Sequence, residues 1–425
     1  LDLSFAQQKI LNLINDKNFN GKNAWLIDSV LCSNEFEGRK SGFIGATKAA
    51  EFISEKFKEW GLKPKGENKT YFQKFPLLAT EEIGNQEFII KDKIKGEIKL
   101  REGDDFAVFT NSGSAIIESK VYFVGYGIED TLWNDYKNID VNGKIVLMLG
   151  GSPKKYDFKH KDDRNSKYKK ACEKGAAAVL IFNLPGNKLT KGAAILKENY
   201  NERVPGAYII DWVFRELLKG TGISLDKILD QLKDNPYSFV INKDVLLNFN
   251  LKKFDNSFGE NVIGLFEGKE IKDEYIVIGA HMDHLGKAPS GYTYYGADDN
   301  GSGTALIMEL ARVISKQESV KRNIIFIAFG GEEQGLLGSE YFVNYPTITR
   351  ENIAIMLNFD MVGVGDGGIG ISGTETIRKI WNEFYNSLSI DEKKKLRTGR
   401  AGIGGTDHTA FKLNGIPALS GYSTG

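Results

Sequence analysis

The sequence predicts an α/β protein, a mostly parallel central sheet flanked by helices, with a β-rich unit inserted into it. Three observations carry that expectation. From Asn261 onward, apolar runs of strand length alternate with helical patterns, as repeated βα units do. Between residues 86 and 250 the texture is instead an alternation of apolar and polar residues punctuated by turn signals. The apolar run Tyr275 to Gly279 then ends abruptly in His281, Asp283 and His284, which puts polar groups where open α/β sheets bind ligands, at the carboxyl ends of strands. With 425 residues the chain exceeds one ordinary core, so two domains are expected: one in two segments, 1–85 and 251–425, around an inserted 86–250.

In chain order, Phe5, Ile10, Leu11, Leu13 and Ile14 suggest a first helix from about Ser4 to Asn15. A stronger one runs from Ala46 to Trp60, where Ala46, Ala49, Ala50, Ile53, Phe57 and Trp60 share a face and Gly61 and Pro64 give the stop. EFIIKDKIKGEIKL and AIIESKVYFVGYG alternate as strands do. Asn142-Gly143 is a turn before the buried run Lys144 to Leu149; a helix from about Lys167 to Lys174 is capped by Gly175, and a strand follows at Ala178 to Phe182. This unit continues through VPGAYII and ends before FDNSFGEN. Strands are then expected at Val262 to Phe266, Tyr275 to Gly279, Asn323 to Phe329, Ala354 to Phe359 and Ile416 to Leu419. A helix after Gly303 is expected to turn Leu306, Leu310, Val313 and Ile314 to one side.

Composition narrows the function classes. A formal net charge of zero removes any global electrostatic argument for nucleic acid or an anionic membrane, and Lys154-Lys155 and Lys393 to Lys395 read as solvated faces. No run of 18 apolar residues is present to cross a bilayer. Two cysteines, Cys32 and Cys172, exclude a disulfide framework and read as small, partly buried side chains. His160, within KHKDDR, reads as an exposed loop residue.

The chemistry concentrates at the strand ends after Asn261. AHMDH, GADDNGSG, GGEEQG, Asp360 and GTDHTAF each supply a carboxylate or an imidazole. Singly these are weak signals, since a lone HxD is commonly incidental, a Glu-Glu pair is commonly a solvated surface pair and DDNG is commonly a turn. Jointly, three of the four histidines fall inside them. Acidic and imidazole groups converging at one mouth repel or stay protonated unless a cation compensates them, and His with carboxylate suits zinc, with cobalt or manganese also open. GSG at Gly301 to Gly303 lacks the Lys of a phosphate loop and is expected to serve close packing at a helix start. Tyr292, Tyr294, Tyr295 and Tyr422 are candidates to line a pocket or donate to an oxyanion.

AHMDH, GADDNGSG, FGGEEQGLLGS, NFDMVG and GTDHTAF resemble, in this order, the motifs of the M28 family of zinc metallopeptidases, the co-catalytic aminopeptidases. FIGATKAAEFISEKFKEWGLKP is similar to that family's amino-terminal part, and NGKIVLMLGG with GAAAVLIF is similar to a protease-associated (PA) domain inserted in some members. The resemblance implies the zinc-peptidase fold and two zinc ions held by His281, Asp299, Glu333, Asp360 and His408. Asp299 would bridge them, with His281 and Asp360 on one ion and Glu333 and His408 on the other. A carboxylate can share its two oxygens between ions roughly 3.5–4 Å apart, which an imidazole cannot.

The resemblance further implies Glu332 as general base toward a metal-activated water and Asp283 as the carboxylate that orients His281. His284 is expected at the rim, and Asp407 is a further candidate orienter. The implied activity is hydrolysis of peptide bonds with release of amino-terminal residues. A related carboxypeptidase and a non-catalytic peptidase-like binding ectodomain are the competing readings. A glutaminyl-cyclase-like activity is disfavoured by the presence of both His281 and Asp360. The implied substrates are peptide or protein amino termini. An extracytoplasmic location, secreted or periplasmic, is expected from the resemblance and from a chain that opens on Leu1. Family members usually continue beyond this point with a further segment, of which IPALSGYSTG resembles the start.

Overall fold

The structure, a computed structural model, describes residues 18–92, 94–109, 112–156, 158, 164–184, 201, 203–254, 256–287, 292–398 and 405–424. The helix expected at Ser4 to Asn15 and the loop residue His160 lie outside the described residues. The chain divides into two compact units, Leu1–Ala79 with Asn256–Gly425, and Thr80–Asp255. The division falls a few residues outside the expected 86–250 because Ala79–Glu82 pairs with Leu251–Phe254 in a two-stranded ribbon that the alternation alone does not reveal.

Among the described residues, the first unit is built on a nine-stranded sheet. Its strands are β1 (Lys63–Pro64), β2 (Phe72–Pro76), β3 (Phe258–Phe266), β4 (Ile271–His281), β5 (Arg322–Phe329), β6 (Ile353–Phe359), β7 (Gly368–Ser372), β8 (Leu396–Thr398) and β9 (Ala418–Thr424). The order is β1-β3-β5-β4-β6-β9-β7-β8, with β2 pairing alongside β1 on β3. The centre, β5-β4-β6-β9, is parallel. β3 runs antiparallel to β5, and β7 antiparallel to β9, so the sheet is mixed toward its edges. Parallel strands covered on both faces read as continuous apolar runs, and in β5 every residue from Asn323 to Phe329 is buried.

Helices α1 (Gly21–Leu31), α2 (Ile44–Glu59) and α3 (Gly303–Ser315) cover one face, where Ile27, Ile53, Phe57 and Ile307 meet Val262, Ile278, Phe326 and Ala328. Helices α4 (Leu337–Asn344) and α5 (His408–Leu413) cover the other, where Phe342 and Phe411 meet Ile263, Val277, Ile325 and Ile327. Alternate residues of one strand thus feed opposite cores. The buried face of α2 contains Ala46, Ala49, Ala50, Ile53 and Phe57, the stripe its periodicity predicts. In α3 the stripe is displaced from the predicted one to Ile307, Met308 and Ala311. The displacement follows from a buried ion pair, Glu309 with Arg312, whose carboxylate also accepts the Asn20 N–H at 3.0 Å and the Asn23 side-chain amide at 3.3 Å.

The sheet order positions the site. From β4 the chain passes through α3 to β5 on one side, then through α4 to β6 on the other side of β4. The carboxyl end of β4 is therefore the point where the winding reverses, the place where open sheets leave a crevice.

The second unit carries an eight-stranded sheet in the order Gly96–Leu100, Glu87–Asp92, Ser238–Phe249, Ala115–Val124, Ile145–Leu149, Ala178–Phe182, Gly206–Ile209, Phe106–Val108. Its core gathers Phe88, Phe106, Phe123, Leu147, Leu180, Phe182, Phe214 and Phe249. Gly175 closes the helix Arg164–Glu173 with a positive φ of 79°, as its place in the sequence suggests.

Candidate active site

His281 is the last residue of β4 and lies in register with Phe329, the last of β5. Gly279 is in register with Asn358 of β6, so His281 and Asp360 come level two residues further on. Their side chains approach to 3.3 Å between Nε2 and Oδ1. Asp299 comes from the turn before α3, and its Oδ1 stands 3.4 Å from the same nitrogen. His281, Asp299 and Asp360 each present one donor atom within 4.8 Å of the others, and so do His284, Asp299 and Glu333. Asp299 is common to both groups.

The first group is braced through the backbone. The Thr304 hydroxyl at the start of α3 donates to the His281 carbonyl at 2.7 Å, and the Asp360 N–H donates to the Gly421 carbonyl at 3.1 Å. Asn300, fully buried, donates from Nδ2 to the Phe359 carbonyl at 2.9 Å and accepts at Oδ1 from the N–H groups of Gly303 and Met361. It thereby ties the Asp299 turn to the strand end that carries Asp360. A side chain at Gly303 would meet the Asn300 amide oxygen at 2.3 Å and the Phe359 carbonyl at 2.4 Å, so the glycine is required for this close approach.

In the second group the imidazole beside Glu333 is that of His284, with Nδ1 2.6 Å from Oε1. His408, the residue that the motif resemblance associates with Glu333, belongs to neither donor group; it is buried at the start of α5 with Nδ1 lacking a partner. His284, expected at the rim, is drawn inward because the chain leaves the sheet after His281 and its N–H donates to the Arg39 carbonyl at 3.2 Å. Asp283 acts differently from a simple orienter of His281. Nδ1 of His281 faces the Asp283 main-chain carbonyl at 3.2 Å, whereas Oδ1 of Asp283, 3.8 Å from that nitrogen, accepts the Glu332 N–H at 3.1 Å. Its carboxylate thus holds the Glu-Glu turn against the end of β4.

The acidic groups converge so that a bound cation would offset their mutual repulsion. Burial raises the Glu332 carboxyl to about 9; His281 opposes that, while Asp407, Asp283 and Asp360 reinforce it. Burial likewise raises Asp283 to about 6 and Asp407 to about 7. Burial works against an imidazolium at His281, but Asp299, Asp360 and Glu332 overcome it and hold the group well above its ordinary value. A proton at the centre of the acidic cluster occupies the electrostatic place of a cation, and Oδ2 of Asp283 is left buried without a partner. Carboxylate and imidazole donors converging in this way fit zinc.

Among the tyrosines, the Tyr295 hydroxyl donates to Asn34 Oδ1 at 2.5 Å, which commits it away from an oxyanion. Tyr292 and Tyr294 are exposed and pack edge to face at 5.1 Å. Sequence reasoning put His284, which meets Glu333, at the rim and did not single out Asn300. AHMDH displayed the first, and the second was hidden in a turn-like stretch.

Residues 261–425 match the profile described as peptidase family M28, and residues 111–210 match the PA domain. Aminopeptidase YwaD of Bacillus subtilis is 31% identical over 285 residues, 65% of this chain and 52% of that protein. A probable leucine aminopeptidase 2 of Aspergillus oryzae is 27% identical over 307 residues, 68% of this chain and 53% of that protein. The chain thus spans about half the length of these curated relatives. In fold it is similar to an aminopeptidase from Aneurinibacillus sp. strain AM-1, with a TM-score of 0.65 at 22% identity over 96% of this chain and 85% of that one. It is similar also to BSAP, a zinc aminopeptidase from Bacillus subtilis, with a TM-score of 0.58 at 22% identity over 96% and 86% of the two chains. The match to peptidase family M28 thus lies in residues 261–425, and the match to a PA domain in residues 111–210.

Proposed function

We propose that this protein is a zinc-dependent aminopeptidase that holds two metal ions and releases residues from the amino termini of peptides. The observation that carries the reading is the pair of donor groups sharing Asp299, with Glu332 half-buried beside them. His281, Asp299 and Asp360 would hold one ion; Asp299, Glu333 and His284 would hold the other, with His284 in the place that the motif resemblance gives to His408. Zinc bound there supplies Lewis acidity, lowering the pKa of a water and polarising the carbonyl under attack. The names of the relatives, aminopeptidase YwaD and the zinc aminopeptidase BSAP, support both the metal and the preference for amino termini.

The chain's own residues do the rest. Glu332 Oε2 lies 3.9 Å from His281 Nε2, at the edge of the first donor group. With the neighbouring carboxylates neutralised by cations, the repulsion that adds to burial in raising Glu332 is relieved, and its carboxylate can accept a proton from water and return it to the leaving amine. Asp283 fixes the direction of that carboxylate by holding the Glu332 backbone. A panel of free-amine, amine-blocked and carboxylate-blocked peptides, assayed with zinc, tests the reading. Cleavage of free-amine and carboxylate-blocked peptides with sparing of amine-blocked ones is expected. Cleavage that requires a free carboxylate instead would make the protein a carboxypeptidase.

A further inference from the structure

Arg39 is fully buried, and no described ion pair involves it. Its guanidinium is used up on main-chain carbonyls. Nε donates to Met282 at 2.8 Å, Nη1 to Leu31 and Tyr295 at 2.7 Å each, and Nη2 to Gly296 at 2.8 Å, while Nη1 also approaches Cys32 Sγ at 3.6 Å. The Arg39 carbonyl accepts the His284 N–H at 3.2 Å. One residue therefore grips the 281–284 segment on both sides of Asp283 and the 295–296 segment that leads into Asp299. These are the segments that carry one ligand of each donor group and the ligand shared between them.

The turn that presents Arg39 is held in an unusual backbone. Glu37 and Arg39 both take positive φ, 48° and 53°, which side chains seldom adopt and which persists where the surroundings enforce it. Gly38 between them approaches the Gly286–Lys287 and Thr293–Tyr294 hairpin so closely that an added Cβ would lie 2.3 Å from the Tyr294 carbonyl oxygen. Lys287 Nζ pairs with Glu37 Oε1 at 2.9 Å, which fastens the turn to the same hairpin. A planar fork with five donors suits several carbonyls at fixed angles, and a lysine ammonium cannot reproduce it.

We propose that Arg39 is a positioning residue that sets the separation of the His281–His284 and Tyr295–Asp299 segments and thereby determines whether Asp299 can serve both metal ions. The inference rests on the proposed two-ion reading. Its first consequence lies in the protein without metal, where the His284 amide should owe its protection from hydrogen exchange to Arg39. Its second is that the second equivalent of metal should be more sensitive to Arg39 than the first.

The test compares Arg39→Lys and Gly38→Ala with the wild-type protein. Far-UV circular dichroism checks folding, amide exchange is followed over 282–300 without metal, and cobalt is titrated into metal-stripped protein by visible absorption. Arg39→Lys is expected to remain folded, to exchange faster over 282–300, to bind the second cobalt at least 10-fold more weakly with an altered spectrum, and to lose kcat with KM changed less than 3-fold on aminoacyl-nitroanilides. If Arg39→Lys does not fold, Gly38→Ala decides, since pushing the turn off the hairpin should produce the same changes in smaller measure. Folded variants with unchanged exchange and an unchanged two-step titration would overturn the role of Arg39. A wild-type protein that binds no second cobalt would overturn the two-ion reading instead, and the exchange result still judges Arg39 separately.

Discussion

The two halves of the proposed metal-binding mouth are built by different means. His281 and Asp360 stand at the ends of adjacent parallel strands, and the register of β4 with β6 brings them level. Glu333 and His284 stand on turns beyond the strand ends, and scattered hydrogen bonds with Ser41, Asp283 and Arg39 hold those turns. Backbone ladders position a side chain more firmly than loops do, because moving one residue means breaking the whole sheet. The first half should therefore be preformed and tight, and the second should depend on its supports. Asp299, which serves both halves, makes them interdependent.

The largest expected effect lies where the halves meet. Glu332→Gln removes the proton acceptor while leaving both donor groups intact, so kcat should fall on the order of 10²–10⁴-fold with zinc content unchanged by atomic absorption. An unchanged rate would remove Glu332 from the mechanism. A smaller and more selective effect should separate the halves: His284→Ala should weaken the second equivalent of zinc, by at least the roughly 10–100-fold that loss of a supporting partner costs, and spare the first. His408→Ala should leave the stoichiometry at two. The reverse result would return Glu333's imidazole partner to His408, and calorimetric titration of the two variants distinguishes the cases. The smallest effect is expected from Asn300→Ala. It cuts the tie between the Asp299 turn and the Asp360 strand end, and should lower zinc affinity by roughly 10-fold.

The same division governs what the sequence made legible. The apolar runs that end in AHMDH, GGEE and Asp360 announce strands and their mouths, because a parallel strand buried on both faces has to be apolar and has to stop where the chemistry begins. The α2 stripe was equally plain. Where the chain leaves regular structure, periodicity no longer says which way a side chain points, and His284 turned inward against expectation for that reason. The roles of Asn300 and Arg39 depend on carbonyls supplied by distant segments, such as Phe359 for one and Tyr295 and Gly296 for the other, and no local pattern encodes such partners. In α3 the predicted stripe was displaced by the buried Glu309–Arg312 pair, a tertiary arrangement that hydropathy reads as a polar face. The antiparallel entry of β3 was missed because the same apolar run can pair in either direction.

The central claim is that one carboxylate, Asp299, joins two metal sites into one catalytic mouth. The most direct measurement is stepwise zinc titration of the metal-stripped protein with simultaneous assay on leucine p-nitroanilide. Activity that rises across two equivalents, together with an Asp299→Asn variant in which neither binding event keeps its wild-type affinity, is the predicted result. Full activity in the presence of a chelator, or an Asp299→Asn variant that retains both zinc ions and its rate, would contradict it.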